Sequence, residues 1–198
     1  FTLFLASRFP QAQFAGYDLS QDDLDQGLAE ARQRSLGNVS FKVQDLMSLA
    51  EHETFDFIFS IDCLEHILGN QKVVANLVQA LAPGGILYVA MPCEKIHQFL
   101  FPKRYFEKYI RWASGEHIGD QYTCDELVAI FRSLGLTILQ AQYTFGFWGK
   151  LAWELDMLTD RCPRLKRLLL PFLFAVGALD PLCGNRSGPY GLVVAGRK

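Results

Sequence analysis

The sequence predicts an α/β protein in which a mostly parallel sheet is covered by helices. Three observations predict it. Short β-rich runs alternate with segments of helical period through the first 92 residues. The turns joining them are short. One run, Ile86 to Met91 (ILYVAM), is apolar throughout, as a strand buried on both faces must be.

The elements follow in order. The chain opens FTLFLASRFP, an apolar helical pattern with no strand before it. Gln13 to Asp18 (QFAGYD) is a short strand ending in an acid. Ser20 to Ser35 predicts a helix, with Leu24, Leu28 and Ala31 at helical spacing. Ser20 is its expected N-cap, and Asp22 and Asp23 sit in the first turn, where the helix dipole favours acids. Asn38 to Val43 (NVSFKV) is β-rich and runs into Gln44-Asp45; Phe55 to Ser60 (FDFIFS) is a strand of bulky residues. Gln71 to Leu81 carries Val73, Val74, Leu77, Val78 and Leu81 on one stripe, and Pro83-Gly84-Gly85 predicts a turn before ILYVAM. Lys95 to Gly115 is rich in aromatics and bases. Thr123 to Leu134 predicts a helix with a Thr123/Glu126 capping box, an apolar face of Leu127, Ile130, Phe131 and Leu134, and a stop at Gly135. Leu136 to Phe145 and Tyr190 to Ala195 read as strands. The roughly 45 residues between them are long enough to be a functional insertion. No internal repeat or low-complexity stretch is visible.

Composition narrows the function classes. The chain has 198 residues, half of them apolar and 20% charged, which excludes a disordered chain. That length suits a single domain. Its net charge of −2 disfavours a general nucleic-acid binder. Five Cys, at 63, 93, 124, 162 and 183, form no CxxC pair. A zinc knuckle or disulfide framework is not expected, and a reducing cytoplasm fits. The longest apolar run, Leu168 to Leu179, is too short to span a bilayer and contains Pro171.

Ligands of parallel sheets bind outside the carboxyl ends of the strands. Asp18 and Asp45 stand at two such ends, and Ser60 leads into IDCLEH at a third. GYDLS at 16–20, VQDL at 43–46, FDFIFSIDCLEHI at 55–67 and LAPGGILYVAMP at 81–92 together resemble the class I S-adenosylmethionine-dependent methyltransferases. The similarity covers about residues 1 to 145 and the last strand. Tyr122-Thr123, Glu126-Leu127 and Gly135-Leu136 further resemble the ubiquinone-biosynthesis-like branch.

The resemblance implies a Rossmann-like fold with an antiparallel last strand and a helical insertion before it. It implies S-adenosylmethionine as cofactor. Asp18 would hold both ribose hydroxyls, with Leu19 against the adenine. Asp45 would accept from the adenine amino group, and Leu46 would offer its backbone amide to the ring. Ser60, Ile61 and Asp62 would pass the methionine moiety, and Leu64 and His66 would continue toward the acceptor. The segments 95–122 and 146–188 are expected to build the acceptor side. The glycine-rich loop that precedes the family's first helix is absent. The missing first strand belongs in the middle of the sheet, so the resemblance implies further N-terminal residues in the natural chain.

Each candidate also has a structural reading. Asp18 fits a turn after a strand, and Asp45 fits a cap on a helix at 46–49. His66 and His117 are the candidate catalytic residues: His66 as general base, His117 at the acceptor pocket. Glu65 is expected to face solvent or pair with a base. The four His form no HxxxH or HExxH pair, so no metal is expected. The aromatics at 99–112 and 145–153 are either core or the wall of a greasy or flat acceptor site. Arg161, Arg164, Lys166 and Arg167 beside LLLPFLFAVGAL fit peripheral contact with an anionic membrane through 161–182, or a helix packed on the domain. No NPPY motif is present. The expected acceptor is a small or lipid-linked molecule, methylated on oxygen or carbon, and not nucleic acid. The rivals are a nicotinamide-dependent oxidoreductase, which lacks its YxxxK pair here, and a non-catalytic scaffold domain.

Overall fold

A computed structural model describes residues 1–93, 95, 97–160, 162–180 and 189–198. Arg161, Cys183 and the 181–188 part of the predicted insertion lie outside the described residues. Two compact units are present, Phe1–Ala50 and Glu51–Lys198.

The first unit contains α1 (Thr2–Arg8), β1 (Phe14–Asp18), α2 (Gln21–Gln33) and β2 (Val39–Val43). β1 and β2 pair in parallel, from Phe14 opposite Val39 to Asp18 opposite Val43. Parallel neighbours need a crossover, and α2 supplies it. Ser20 caps α2, its Oγ accepting from Asp23 N at 3.2 Å. Leu24 and Ala31 carry the buried face, as their spacing predicts.

The second unit contains β3 (Phe55–Ile61), α3 (Asn70–Ala80), β4 (Leu81–Pro92), α4 (Glu107–Glu116), α5 (Cys124–Ser133), β5 (Thr137–Thr144), α6 (Phe147–Thr159), α7 (Pro163–Gly177) and β6 (Gly191–Arg197). Its sheet has the order β3-β4-β6-β5. β3 and β4 are parallel, and β6 runs antiparallel to both β4 and β5. β3, β4 and β5 therefore share a direction and only the last strand reverses, with α6 and α7 inserted before it. The core lies between this sheet and its helices. Leu87, Val89 and Met91 of β4 and Leu192 and Val194 of β6 are buried, with Val73, Val74 and Leu77 of α3 and Leu127 and Phe131 of α5.

The predicted turn at Pro83-Gly84-Gly85 is a correction. These residues lie inside one strand, Leu81–Pro92. Phe55 pairs with Leu81 and Phe57 with Ile86, so the turn residues form a wide irregularity on β4. Gly84 takes φ +81°, and its amide donates to Lys198 O at 3.0 Å, which keeps the bulge in the sheet. The Thr123/Glu126 capping box on α5 is present in both directions, and Gly135, at φ +86°, lets the chain leave the helix.

Candidate functional site

In the first unit the strand ends bring Asp18 and Asp45 to the same edge, where Gln44 N donates to Asp18 O at 2.9 Å. Asp18 Oδ1 accepts from Ser20 N at 2.9 Å. Asp45 caps a 3₁₀ turn, Leu46–Ser48, accepting from Met47 N at 2.8 Å. Each acid thus has a local structural job through one oxygen. Both carboxylates are exposed; Leu19 is exposed and Leu46 half-buried. An apolar side chain standing in solvent beside a carboxylate at a strand end suits a flat ring over a diol.

In the second unit the carboxyl end of β3 carries a dense polar cluster. Ser60 is buried, and its Oγ meets no partner among the described residues. Ile61 closes the strand. Asp62 then takes φ +48°, a left-handed conformation that turns the chain sharply out of the sheet. A 3₁₀ turn, Leu64–His66, follows. Of the two expectations for Glu65, exposure to solvent is overturned: it is only 1% exposed. The segment 117–122 covers it, with Gly119 N donating to Glu65 O at 2.8 Å. Glu65 Oε2 is buried without a partner among the described residues. Burial pushes the Glu65 carboxyl upward, and partial desolvation pushes Asp62 upward against the pull of His117 and His66.

The fold joins His66 and His117, which stand 51 positions apart in sequence. Their ring centroids are 5.1 Å apart. His66 Nδ1 lies 2.9 Å from Glu116 O. A carbonyl only accepts, so Nδ1 donates this hydrogen bond. His66 Nε2 is 4.0 Å from Glu65 Oε1. Glu65, His66 and His117 offer ligand atoms within 4.8 Å of one another, a convergence that motif spacing did not foresee.

Sequence reasoning missed the residues that assemble this cluster. Asn70 is fully buried; its side-chain amide donates to Leu64 O at 2.8 Å and Asp120 O at 3.0 Å, and Tyr122 OH donates back to it at 2.5 Å. A Cβ at Gly119 would stand 2.5 Å from Leu64 O and 2.7 Å from Ile67 O, so only glycine permits the approach. Gln121, also missed, has both side-chain amide atoms buried and unpartnered among the described residues. The glycine and the amides carry no signature of their own in a single sequence.

The aromatics of the two predicted acceptor segments form one ring cluster. Phe99 stacks on Phe106 at 4.6 Å, Trp153 stacks on Tyr190 at 4.6 Å, and His97 meets Phe99 and Tyr190 edge-on. The Tyr109 and Tyr190 hydroxyls are hydrogen-bonded. Both His97 ring nitrogens are buried without partners among the described residues, and burial beside Lys150 and Lys103 lowers its pKa to about 4.

Residues 1–124 match the family model described as a methyltransferase domain. The chain belongs to this methyltransferase family. Trans-aconitate 2-methyltransferase of Acidovorax sp. (strain JS42) is 40% identical over 91 residues, 46% of this chain and 33% of that protein. Phosphoethanolamine N-methyltransferase 2 of Caenorhabditis elegans is 28% identical over 104 residues, 48% of this chain and 24% of that one. The matched stretch thus spans a quarter to a third of these relatives. A coclaurine N-methyltransferase structure bound to N-methylheliamine and SAH matches with TM-score 0.64 at 17% identity, covering all of this chain and 62% of that one. This last likeness concerns fold alone. For a methyltransferase domain, the acids after β1 and β2 and the cluster after β3 lie at the strand ends where ligands of such sheets bind.

Proposed function

We propose that the protein transfers a methyl group from S-adenosylmethionine to an oxygen or carbon of a small or lipid-linked acceptor. The observation that carries the reading is the set of buried, unpartnered polar atoms of Ser60, Glu65 and Gln121 at or beside the carboxyl end of β3. Buried polar groups are rarely left unpaired unless a ligand or water completes them. The first unit's residues fit the cofactor. Asp18 would accept from two ribose hydroxyls, Leu19 would cover the adenine, and Asp45 with the Leu46 amide would bind its edge. Ser60, Ile61 and Asp62 would line the methionine part. The segments 95–122 and 146–188 would lie on the acceptor side. The protein would work in the cytoplasm.

Bound S-adenosylmethionine supplies a methyl group on an already activated sulfonium. The chain's task is then to align the acceptor and exclude water. His66 Nε2 would take the proton of a hydroxyl acceptor, with Glu65 supporting the resulting imidazolium and His117 beside it. A carboxylate acceptor needs no base. A nitrogen acceptor is the second reading: three relatives are named N-methyltransferases, and a carboxylate of Asp62 or Glu65 would take the proton an ammonium must lose before its nitrogen can attack.

The test is transfer of labelled methyl to a panel of hydroxyl, carboxylate, amine and carbon acceptors, with His66→Gln alongside. With a hydroxyl acceptor the variant should lose about a hundredfold or more in kcat. Transfer confined to amines would replace the oxygen-or-carbon reading. No cofactor binding and no transfer to any class by a folded chain would favour the scaffold reading.

A further inference from the structure

α7 is apolar on more sides than its packing uses. Leu173 and Val176 are buried and, with Leu169, pack against Ala152, Trp148, Leu151 and Leu155 of α6. On one flank of that face Leu168 and Phe172 are 76% and 61% exposed; on the other, Leu170 and Phe174 are 38% and 72% exposed. No polar or charged residue occurs from Leu168 to Leu179. The helix continues through Pro171, so the apolar stretch is one helical surface. Arg164 and Arg167 stand exposed at its N-terminal end, on the side away from α6, and neither is ion-paired among the described residues. Lys166 is spoken for by Asp156 and Asp160, at 2.9 and 2.6 Å.

We propose that α7 docks the protein in the interface of an anionic lipid bilayer, with its apolar outer faces in the acyl boundary and Arg164 and Arg167 among the headgroups. Two features favour lipid over a protein partner. The exposed apolar residues lie on both flanks of the packed face, so a surrounding apolar medium covers them better than a single partner face. The free cations sit beside the apolar stretch at one end, the arrangement of helices that lie in an anionic interface. No helix among the described residues is long and apolar enough to cross a membrane, so the contact is peripheral. The inference stands on α7 alone and does not depend on the acceptor.

The test is flotation of the chain with phosphatidylglycerol-containing and pure phosphatidylcholine vesicles, for the wild type, Phe172→Glu/Phe174→Glu and Arg164→Glu/Arg167→Glu. All four positions are exposed, so the variants should fold; circular dichroism and S-adenosylhomocysteine binding check this separately. The wild type should float with the anionic vesicles, and less as salt rises. Each variant should lose at least tenfold in partitioning with its fold unchanged. Failure of a folded wild type to float overturns the proposal. So does equal binding to both vesicle types, or undiminished binding by the variants. A dimer that the Phe variant breaks, without vesicle binding, would assign the surface to a second copy instead.

Discussion

His97 shows how one residue's surroundings become a measurable property. Its imidazole lies among Phe99, Trp153 and Tyr190, and its folded pKa falls to about 4 from the ordinary 6.5. The unfolded chain therefore binds a proton that the folded chain refuses between these values. Stability from this group is complete above pH 6.5 and is lost as pH falls toward 4. With its partial solvent access the loss should be about 2 kcal/mol. Urea denaturation at pH 7 and pH 4 should show His97→Phe losing less than the wild type; equal losses would contradict the assignment. None of this was legible in the sequence, where His97, unlike His66 and His117, carries no assigned role. Asp18 and Asp45 were legible because a strand pattern ending in an acid is local. The burial of Glu65 was not legible because the segment over it arrives from beyond position 115.

At the scale of elements, local rules predicted much and long-range contacts the rest. Ser20, Thr123 and Gly135 announced their helix ends because caps depend on neighbours a few residues away. The Pro-Gly-Gly of β4 obeyed turn chemistry but was recruited into the sheet by pairing with β3 and by the chain's last residue, which no local rule sees. The insertion was recognisable by length, yet the contacts of its buried charges were not. Lys150 and Glu154 are both fully buried on α6. Lys150 Nζ donates to Gln98 O at 2.9 Å, and the Glu154 carboxylate accepts from the Leu100 and Phe101 amides. These bonds hold the 98–101 segment, and with it the aromatic cluster, against α6. Glu154→Ala should cost about 3–5 kcal/mol in denaturant titration, because it leaves two amides without their acceptor and removes a negative charge near the buried Lys150 ammonium. A Lys150→Met/Glu154→Leu double variant should recover part of that. A loss below about 0.5 kcal/mol for Glu154→Ala would contradict the role given to the pair.

For the whole molecule, the family was readable because four short motifs recur in order, each tied to a strand end. The acceptor was not, since it depends on how residues after position 95 fold over β3, and on side chains such as Gln121 that no spacing rule marks. The proposed reaction asks the acids of Phe1–Ala50 to hold the cofactor and the acid–imidazole cluster of Glu51–Lys198 to serve the acceptor. Its central claim is cofactor binding through Asp18. Calorimetric titration of S-adenosylhomocysteine into the wild type and Asp18→Ala tests it most directly. The account predicts micromolar binding by the wild type and a loss of tenfold or more in the variant, whose exposed position leaves the fold intact. No binding by a folded wild-type chain, or equal binding by the variant, would contradict it.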